Sequence, residues 1–122
     1  MTPDWYVADK GREEFWTEER CHITELLNDT SSPEASLAIA RVEPGVTTQL
    51  HKLDGIAERY IVRKGRGVVE IGGEAHPVRV GDQVIIPADA AQRITNDGAE
   101  DLEFYCLCVP RFRPESYVNL EG

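Results

Sequence analysis

The sequence has few basic residues for its acidic content, with 13 Lys and Arg against 22 Asp and Glu and a formal net charge of -9. Nucleic acids and anionic membranes are bound by clustered Lys and Arg, so this balance argues against both as partners. No apolar run approaches the roughly 20 residues that span a bilayer. The start, MTPDWYVADKGREEF, lacks the basic and apolar regions of a signal peptide, and we expect a cytoplasmic protein.

Cysteine is also scarce. Cys21, Cys106 and Cys108 are the only three, and they form neither an even disulfide framework nor a zinc-ribbon spacing. Reduced, buried thiols are the simplest interpretation. Because Cys106 and Cys108 stand two apart on a predicted strand, they share a face, which leaves a metal-facing or redox role as the second interpretation.

A long helical period is missing from residue 37 onward. Short apolar segments alternate there with turn residues, as in SLAIARVEPG and in RYIVRKGRGVVEIGGEAHPVRVGDQVIIP, whose strands are separated by glycines. QRITNDGAEDLEFYCLCVP adds a strand, an Asn-Asp-Gly turn and a long last strand. The pattern predicts an all-β sandwich or barrel, as a single domain over residues 1–122 with its core at about 36–110.

The two ends of the chain are less regular. ERCHITELLN alternates like a strand, whereas GREEFWTEE could be an acidic helical turn or an irregular lead-in. The tail PRFRPESYVNLEG has two prolines and no period, so we expect it to cross the surface or reach a partner chain. Irregular N- and C-terminal extensions are therefore predicted around the β core.

Two spacings in the middle of the chain resemble the paired motifs of the cupin superfamily. The positions of the first motif, G-x5-H-x-H-x(3,4)-E-x6-G, are filled in order by Gly45, His51, Leu53, Glu58 and Gly65. Those of the second, G-x5-P-x-G-x2-H-x3-N, are filled by Gly81, Pro87, Asp89, Gln92 and Asn96. The resemblance implies a small single-domain cupin, that is, a double-stranded β-helix or jelly-roll barrel.

The resemblance also implies a metal site with missing ligands. Metal-binding cupins hold one divalent ion with two histidines and a glutamate from the first motif and a histidine from the second, but here Leu53 and Gln92 replace two of the histidines. His51, Glu58 and Gln92 could still hold Zn, Fe, Mn or Ni weakly, with water completing the coordination. The set lacks the two histidines of the facial triad, so oxygen activation on iron loses support.

The same residues could instead perform acid–base chemistry without a metal, as sugar epimerases and dehydratases of the superfamily do. His51 and Glu58 would share one cavity, and Tyr60, two residues after Glu58, would face inward with them and offer a phenolic donor. Gln92 would then position a substrate hydroxyl or carbonyl. Two structural alternatives stay open, in which Tyr60 is a core aromatic and Gln92 satisfies a buried backbone group.

The predicted catalytic residues are thus His51, Glu58 and Tyr60, and the tentative metal ligands are His51, Glu58 and Gln92. The side chains predicted to bind the ligand are Gln92, Leu53, Gln49, Cys106, Cys108 and Phe104. His22 is expected to be partly buried structure, and His76 to be exposed and inert.

The last predicted strand carries a second apolar face. If Glu103 faces solvent, alternation sends Leu102, Phe104, Cys106 and Cys108 inward and Tyr105, Leu107 and Val109 outward. An outward apolar stripe needs cover, and a partner subunit commonly supplies it, so we expect a homodimer.

The leading functional hypothesis is a small barrel that binds a small polar molecule, sugar-like or oxo-acid, and performs isomerase, dehydratase or other lyase chemistry, with a weakly held divalent metal as an option. An ionisable pair inside an apolar barrel is costly unless it is used or well satisfied. The first alternative is a non-catalytic ligand-binding or sensor module. The second is a metal-dependent dioxygenase.

Overall fold

A computed structural model of the chain describes residues 1–9 and 11–122. In this part of the chain, the structure consists of strands connected by turns and loops, with a single turn of 3-10 helix at Pro114–Ser116. The strands are β1 (Phe15–Thr17), β2 (Cys21–Leu27), β3 (Ser36–Val42), β4 (His51–Leu53), β5 (Ala57–Lys64), β6 (Arg66–Ile71), β7 (Glu74–Arg79), β8 (Gln83–Ile86), β9 (Gln92–Thr95), β10 (Leu102–Val109) and β11 (Tyr117–Asn119). Among the described residues no helix is long and apolar enough to cross a membrane.

The strands form two antiparallel sheets. One has the order β1-β2-β3-β10-β5-β8, and the other β11-β4-β9-β6-β7. The buried core joins both, since Val62, Leu102 and Phe104 of the first sheet pack in one cluster with Val69 and Ile94 of the second. The jelly-roll barrel predicted from the motifs is confirmed.

Both ends of the chain are more regular than we predicted. GREEFWTEE is neither a helical turn nor irregular throughout, because its Phe15–Thr17 segment forms β1 and pairs with β2. The tail contains the 3-10 turn and then β11, which pairs antiparallel with β4. Each short strand satisfies the backbone groups of an otherwise open sheet edge. The tail therefore lies beside His51, the first residue of β4.

The alternation predicted for the last strand is observed. Leu102, Phe104 and Cys108 are buried on the inner face of β10, whereas Val109 is 45% exposed. Tyr105 stands between Ile39 of β3 and Ile61 of β5 on the other face. The inner residues of β10 consequently form one wall of the space between the sheets.

Asn96, the last position of the second motif, holds the turn between β9 and β10. Its side chain is fully buried, and its Nδ2 donates to the carbonyls of Val42 and Glu100 at 2.9 and 2.7 Å. Its Oδ1 accepts from the Gly98 amide at 2.9 Å. All of its buried polar atoms are thereby paired, which explains why an amide is suited to this position.

Candidate functional site

A cavity of about 270 Å³ opens between the two sheets. Most of its wall is apolar, with Ile23, Leu53, Ile94, Phe104 and Phe112 among the lining side chains. The polar side chains that reach it include Glu19, Glu25, Thr48, His51, Glu58 and Tyr60. Such a chamber suits a small organic molecule and is slightly below the range of roughly 300–1,000 Å³ typical of drug-sized ligands.

Most of the predicted site residues line this cavity. The strand alternation explains it, because His51 and Leu53 of β4 and Glu58 and Tyr60 of β5 are the buried positions of their strands. Phe104, Cys106 and Cys108 of β10 complete the set. Gln49 and Gln92 are the exceptions, and neither lies in the wall.

The other two histidines lie outside the cavity, as expected. His22 places its Nε2 3.1 Å from a carboxylate oxygen of Glu43, and its side chain is about one fifth exposed at 22%. His76 is exposed on β7. His51 is therefore the one imidazole available to a molecule in the chamber.

Glu58 is a buried carboxyl with incomplete hydrogen bonding. It is 7% exposed, and within the described chain its Oε1 has no hydrogen-bond partner. The Cys108 thiol donates to Oε2 at 3.6 Å. Burial raises the pKa of Glu58 to about 8, the charge of Glu19 acts in the same direction, and Cys108 and Gln92 oppose the shift. Glu58 is thus mainly a protonated acid at neutral pH, able to donate a hydrogen bond or a proton.

Tyr60 is hydrogen-bonded to Gln92 across the barrel. Its hydroxyl donates a short hydrogen bond to Oε1 of Gln92, and both side chains are buried. Burial raises the pKa of Tyr60 well above its usual range, so the phenol stays neutral. The ring also packs on Phe104, with 4.4 Å between ring centroids. Gln92 therefore contacts Tyr60 and is not itself part of the cavity wall, and its side-chain carbonyl already accepts the hydrogen bond from Tyr60.

His51 is held from two directions. Its Nδ1 lies 2.8 Å from the backbone carbonyl of Gln49, and the Tyr117 ring stacks on the imidazole with centroids 4.6 Å apart and planes 16° apart. Because a carbonyl only accepts, Nδ1 must donate, and in a ring with one proton that proton lies on Nδ1. No hydrogen bond to Nε2 is found in the described part of the chain, so its lone pair is available.

Gln49, which we predicted to bind the ligand, has a different set of partners. Its side-chain carbonyl accepts from the Tyr117 hydroxyl at 2.6 Å, and its backbone carbonyl accepts from His51. Tyr117 itself was missed, because the tail shows no period and matches no motif. Only the aromatic and β-branched pair Tyr117-Val118 could have suggested a strand there.

Glu19 was missed as well. It lies in the turn between β1 and β2, lines the cavity and raises the pKa of Glu58 through its charge. Its backbone carbonyl accepts from the Gln49 amide at 2.9 Å, which ties this turn to the chain just before His51. Glu19 is one of several acidic residues in its segment, and nothing in the local sequence distinguishes it as a cavity residue.

Comparison with known proteins gives the family. A model of the cupin domain matches residues 38–109. The chain belongs to the cupin family. Relatives of this cupin include an uncharacterized protein of Methanocaldococcus jannaschii, 34% identical over 109 residues that cover 88% of this chain and 87% of the relative. An oxalate-binding protein of Thermotoga maritima is 32% identical over 89 residues, which cover 71% of this chain and 74% of that protein.

Solved structures share the fold. A predicted oxalate decarboxylase from Thermotoga maritima superposes with a TM-score of 0.73 at 26% identity and covers 81% of this cupin and 91% of that chain. A Streptomyces Pac13 variant bound to uridine gives a TM-score of 0.78 at 21% identity, over 98% and 92% of the two chains. Pac13 is described as a nucleoside dehydratase, and its likeness to this cupin is one of fold.

Cupins commonly bind a metal, but the donors of this chain do not fit a tightly held ion. Leu53 places an isobutyl group where the motif has a second imidazole, and the Gln92 carbonyl already accepts from Tyr60. Of the motif positions, His51 and Glu58 keep atoms without a hydrogen-bond partner among the described residues, namely Nε2 and Oε1. Among the described residues no group of three or more His, Cys, Asp and Glu side chains is arranged to hold an ion.

Proposed function

We propose that this cupin binds a small, uncharged, hydroxyl-bearing molecule and acts on it by acid–base chemistry of the dehydratase or isomerase type. One observation carries the proposal: the buried carboxyl of Glu58, whose Oε1 has no partner, lines the same apolar cavity as His51, whose Nε2 is free. Burial raises the pKa of Glu58, which favours its role as the acid. The two groups enter from opposite sheets, since Glu58 lies on β5 and His51 on β4. They offer an acid and a base to one bound molecule.

The charges around the cavity favour a neutral ligand over an oxo-acid. Three carboxyl side chains line it, those of Glu19, Glu25 and Glu58, and no Lys or Arg is found among the described lining residues. An oxo-acid anion would lose its hydration here without gaining a cationic partner. Of the two substrate classes that the sequence suggests, the sugar-like class is therefore favoured. The lack of a cationic partner also disfavours oxalate, the ligand in the name of the Thermotoga maritima relative, because oxalate is a dianion.

The arrangement is suited to eliminating water. On a hydroxylated substrate with a C–H bond next to a carbonyl, His51 Nε2 takes the proton from carbon, and the electrons of that bond form a C=C bond. The adjacent C–O bond breaks while Glu58 protonates the departing hydroxyl, which leaves as water. One proton transfer from the imidazolium to the carboxylate restores both groups. Returning the proton to a different carbon instead gives isomerisation.

The preference for a neutral over an anionic ligand is tested by measuring the melting temperature of the protein with molecules of each class. Uridine and ribose are the neutral probes, and oxalate and pyruvate are the anionic ones. We expect a neutral probe to raise the melting temperature, since a ligand at 100 times its Kd stabilises the folded state by about 2.7 kcal/mol. Stabilisation by oxalate or pyruvate without any by the neutral probes would contradict the proposed ligand class.

Catalysis is tested by NMR with ribose, whose open-chain aldehyde has the C–H bond and the neighbouring hydroxyl that the proposed elimination requires, whereas uridine lacks such a carbonyl and serves as a binding probe only. His51→Asn and Glu58→Gln are each expected to lower turnover on the order of 100-fold or more, because each removes one partner of the proton transfer. His76→Asn is the matched control, since His76 is exposed on β7 outside the cavity. If both active-site variants bind the probe as the wild type does and none of the proteins turns it over, the chain is a binding module rather than an enzyme.

We also propose that two copies pair through the outer face of the six-stranded sheet. Ile39, Tyr105 and Ile61 lie in register on three neighbouring strands, and Ile61 is 39% exposed. Ile85 on β8 lies on the same face, opposite Arg59 and diagonal to Ile61, and is 67% exposed. Light scattering at micromolar concentration is expected to give twice the chain mass of 13.7 kDa.

A charge placed on that face separates the copies if the pairing is correct. Ile61→Lys is expected to shift the measured mass to that of one chain, because the cation would be buried without a partner. Val80→Lys is the matched control, since Val80 is 60% exposed and lies between β7 and β8. A wild-type protein that is monomeric at this concentration would rule out the dimer.

A further inference from the structure

The C-terminal strand is fastened over the strand that carries His51. β11 pairs with β4, and the Leu120 amide donates to the Leu50 carbonyl at 2.9 Å. The Glu121 carboxylate accepts from the Leu50 amide and forms an ion pair with Arg20, each at 2.8 Å. Arg20 in turn donates from Nε to the Thr47 carbonyl at 2.9 Å. These contacts hold the end of the tail against residues 47–50, the segment that leads into β4.

The tail uses this position to contact His51 through Tyr117. The Tyr117 ring covers one face of the imidazole, and the Tyr117 hydroxyl donates to the side chain of Gln49. Gln49 is the residue whose backbone carbonyl accepts from His51 Nδ1. Each of these three residues thus contacts the other two. The stacked Tyr117 ring restrains the orientation of the imidazole plane, and the hydrogen bond to Gln49 restrains Nδ1.

We propose that Tyr117 is a positioning residue that, together with Gln49, holds His51 as the Nδ1–H tautomer and keeps the Nε2 lone pair available in the cavity. The stacked ring limits rotation of the imidazole, and rotation would break the bond from Nδ1 to Gln49. Without the stack, the tautomer with the proton on Nε2 becomes accessible, and that form cannot accept a proton at Nε2. The meaning of this inference for catalysis rests on the proposed function, whereas the tautomer itself does not.

The tautomer is measured directly in ¹⁵N-histidine-labelled protein without any ligand. Long-range ¹H–¹⁵N spectra, recorded at a pH where the imidazoles are neutral, are expected to show the proton of His51 on Nδ1. Tyr117→Val keeps a residue that favours strands and removes the ring, so the nitrogen shifts should move toward the Nε2–H form. Tyr117→Phe keeps the stack and should retain the wild-type tautomer.

Tyr6→Val is the matched control, since Tyr6 is 54% exposed in the N-terminal segment. The His22 and His76 signals report in each variant whether the fold is intact. A wild-type His51 with its proton on Nε2 would overturn the inference even if no variant folds. Unchanged His51 nitrogen shifts in folded Tyr117→Val would overturn it as well.

The effect of Tyr117 on catalysis is measured separately, as kcat and KM of the variants with any probe that the wild type turns over. A positioning role predicts that Tyr117→Val lowers kcat on the order of 100-fold with little change in KM, because a misplaced base is costly while the cavity wall is unchanged. Loss of binding with an unchanged kcat would show that Tyr117 shapes the pocket rather than the base. If no probe is turned over, the proposed function fails, and the tautomer measurement still decides the role of Tyr117.

Discussion

Replacing Glu58 with glutamine is expected to stabilise the protein, by an amount that grows as the pH rises. The wild-type carboxyl is 7% exposed and has an unpartnered Oε1, and its pKa is raised from the ordinary 4.5 to about 8. Burial is the main cause of the shift. Glutamine has nearly the same shape and never ionises, so the folded variant does not carry the cost of a buried charge.

The direction of the effect follows from where each state binds its proton. Below about pH 4.5 the carboxyl is protonated in both states, and ionisation makes no difference. Between 4.5 and about 8 the folded protein keeps a proton that the unfolded chain has lost, so wild-type stability falls as the pH rises, at about 1.4 kcal/mol per pH unit. Above about pH 8 the cost is constant. The whole window corresponds to about 5 kcal/mol.

The measurement is urea unfolding of both proteins at pH 5, 6.5 and 8. The gap in unfolding free energy between Glu58→Gln and the wild type should widen by a few kcal/mol across this series. Glu74→Gln is the control, since Glu74 is exposed at the start of β7. The difference in unfolding free energy between this variant and the wild type should stay constant across the series. Parallel stability curves for the wild type and Glu58→Gln would show that Glu58 titrates as an ordinary surface acid.

A residue that lowers stability where a close replacement would raise it points to a function for its acid group. Proteins tolerate such strain chiefly at sites where activity needs it. The same group is the acid in the proposed elimination, so the stabilised variant is also the one expected to lose turnover. Stability and activity should therefore change in opposite directions at this position.

Much of the fold was predictable because it depends on local turns. Gly45, Gly65 and Gly81 all have positive φ, which only glycine adopts freely. Asp89 replaces a motif glycine and still has a φ of 69°, in a region that Asp tolerates better than most residues. Its Oδ1 accepts from the Gly55 amide at 3.0 Å, which supports the strained turn. The motif is thus preserved in conformation where it is lost in sequence.

The site was predictable where a motif position or strand alternation marks an inward side chain. His51 and Glu58 occupy positions of the first motif, and Tyr60 shares the face of Glu58 on the same strand, whereas the partners of His51 follow from neither signal. Tyr117 is separated from His51 by a long stretch of sequence, and it reaches the imidazole because two three-residue strands pair at a sheet edge. Strands that short leave no periodicity to detect. Gln92 matched a ligand position, and only the structure shows its carbonyl engaged by Tyr60.

Gly65→Ala is expected to destabilise the protein strongly, because this glycine is needed for two separate reasons. Its φ is +77°, and a Cβ there would lie 2.5 Å from the backbone carbonyl oxygen of Asp101 and 3.1 Å from Cα of Leu102. Backbone atoms cannot move aside as a flexible side chain can. The left-handed conformation costs about 1–2 kcal/mol for a residue with a Cβ, and the steric overlap adds about 1–3 kcal/mol or more.

Gly55→Ala separates the two contributions. Gly55 has a φ of +70°, close to that of Gly65, but a Cβ there would meet nothing within 4 Å. Urea unfolding should therefore show a loss of about 1–2 kcal/mol for Gly55→Ala, and a further loss for Gly65→Ala equal to the steric contribution. Equal losses in the two variants would mean that the β5–β6 turn can move away from Asp101. The motif glycine would then be required for its dihedral angle alone, and not for the close approach of the two chain segments.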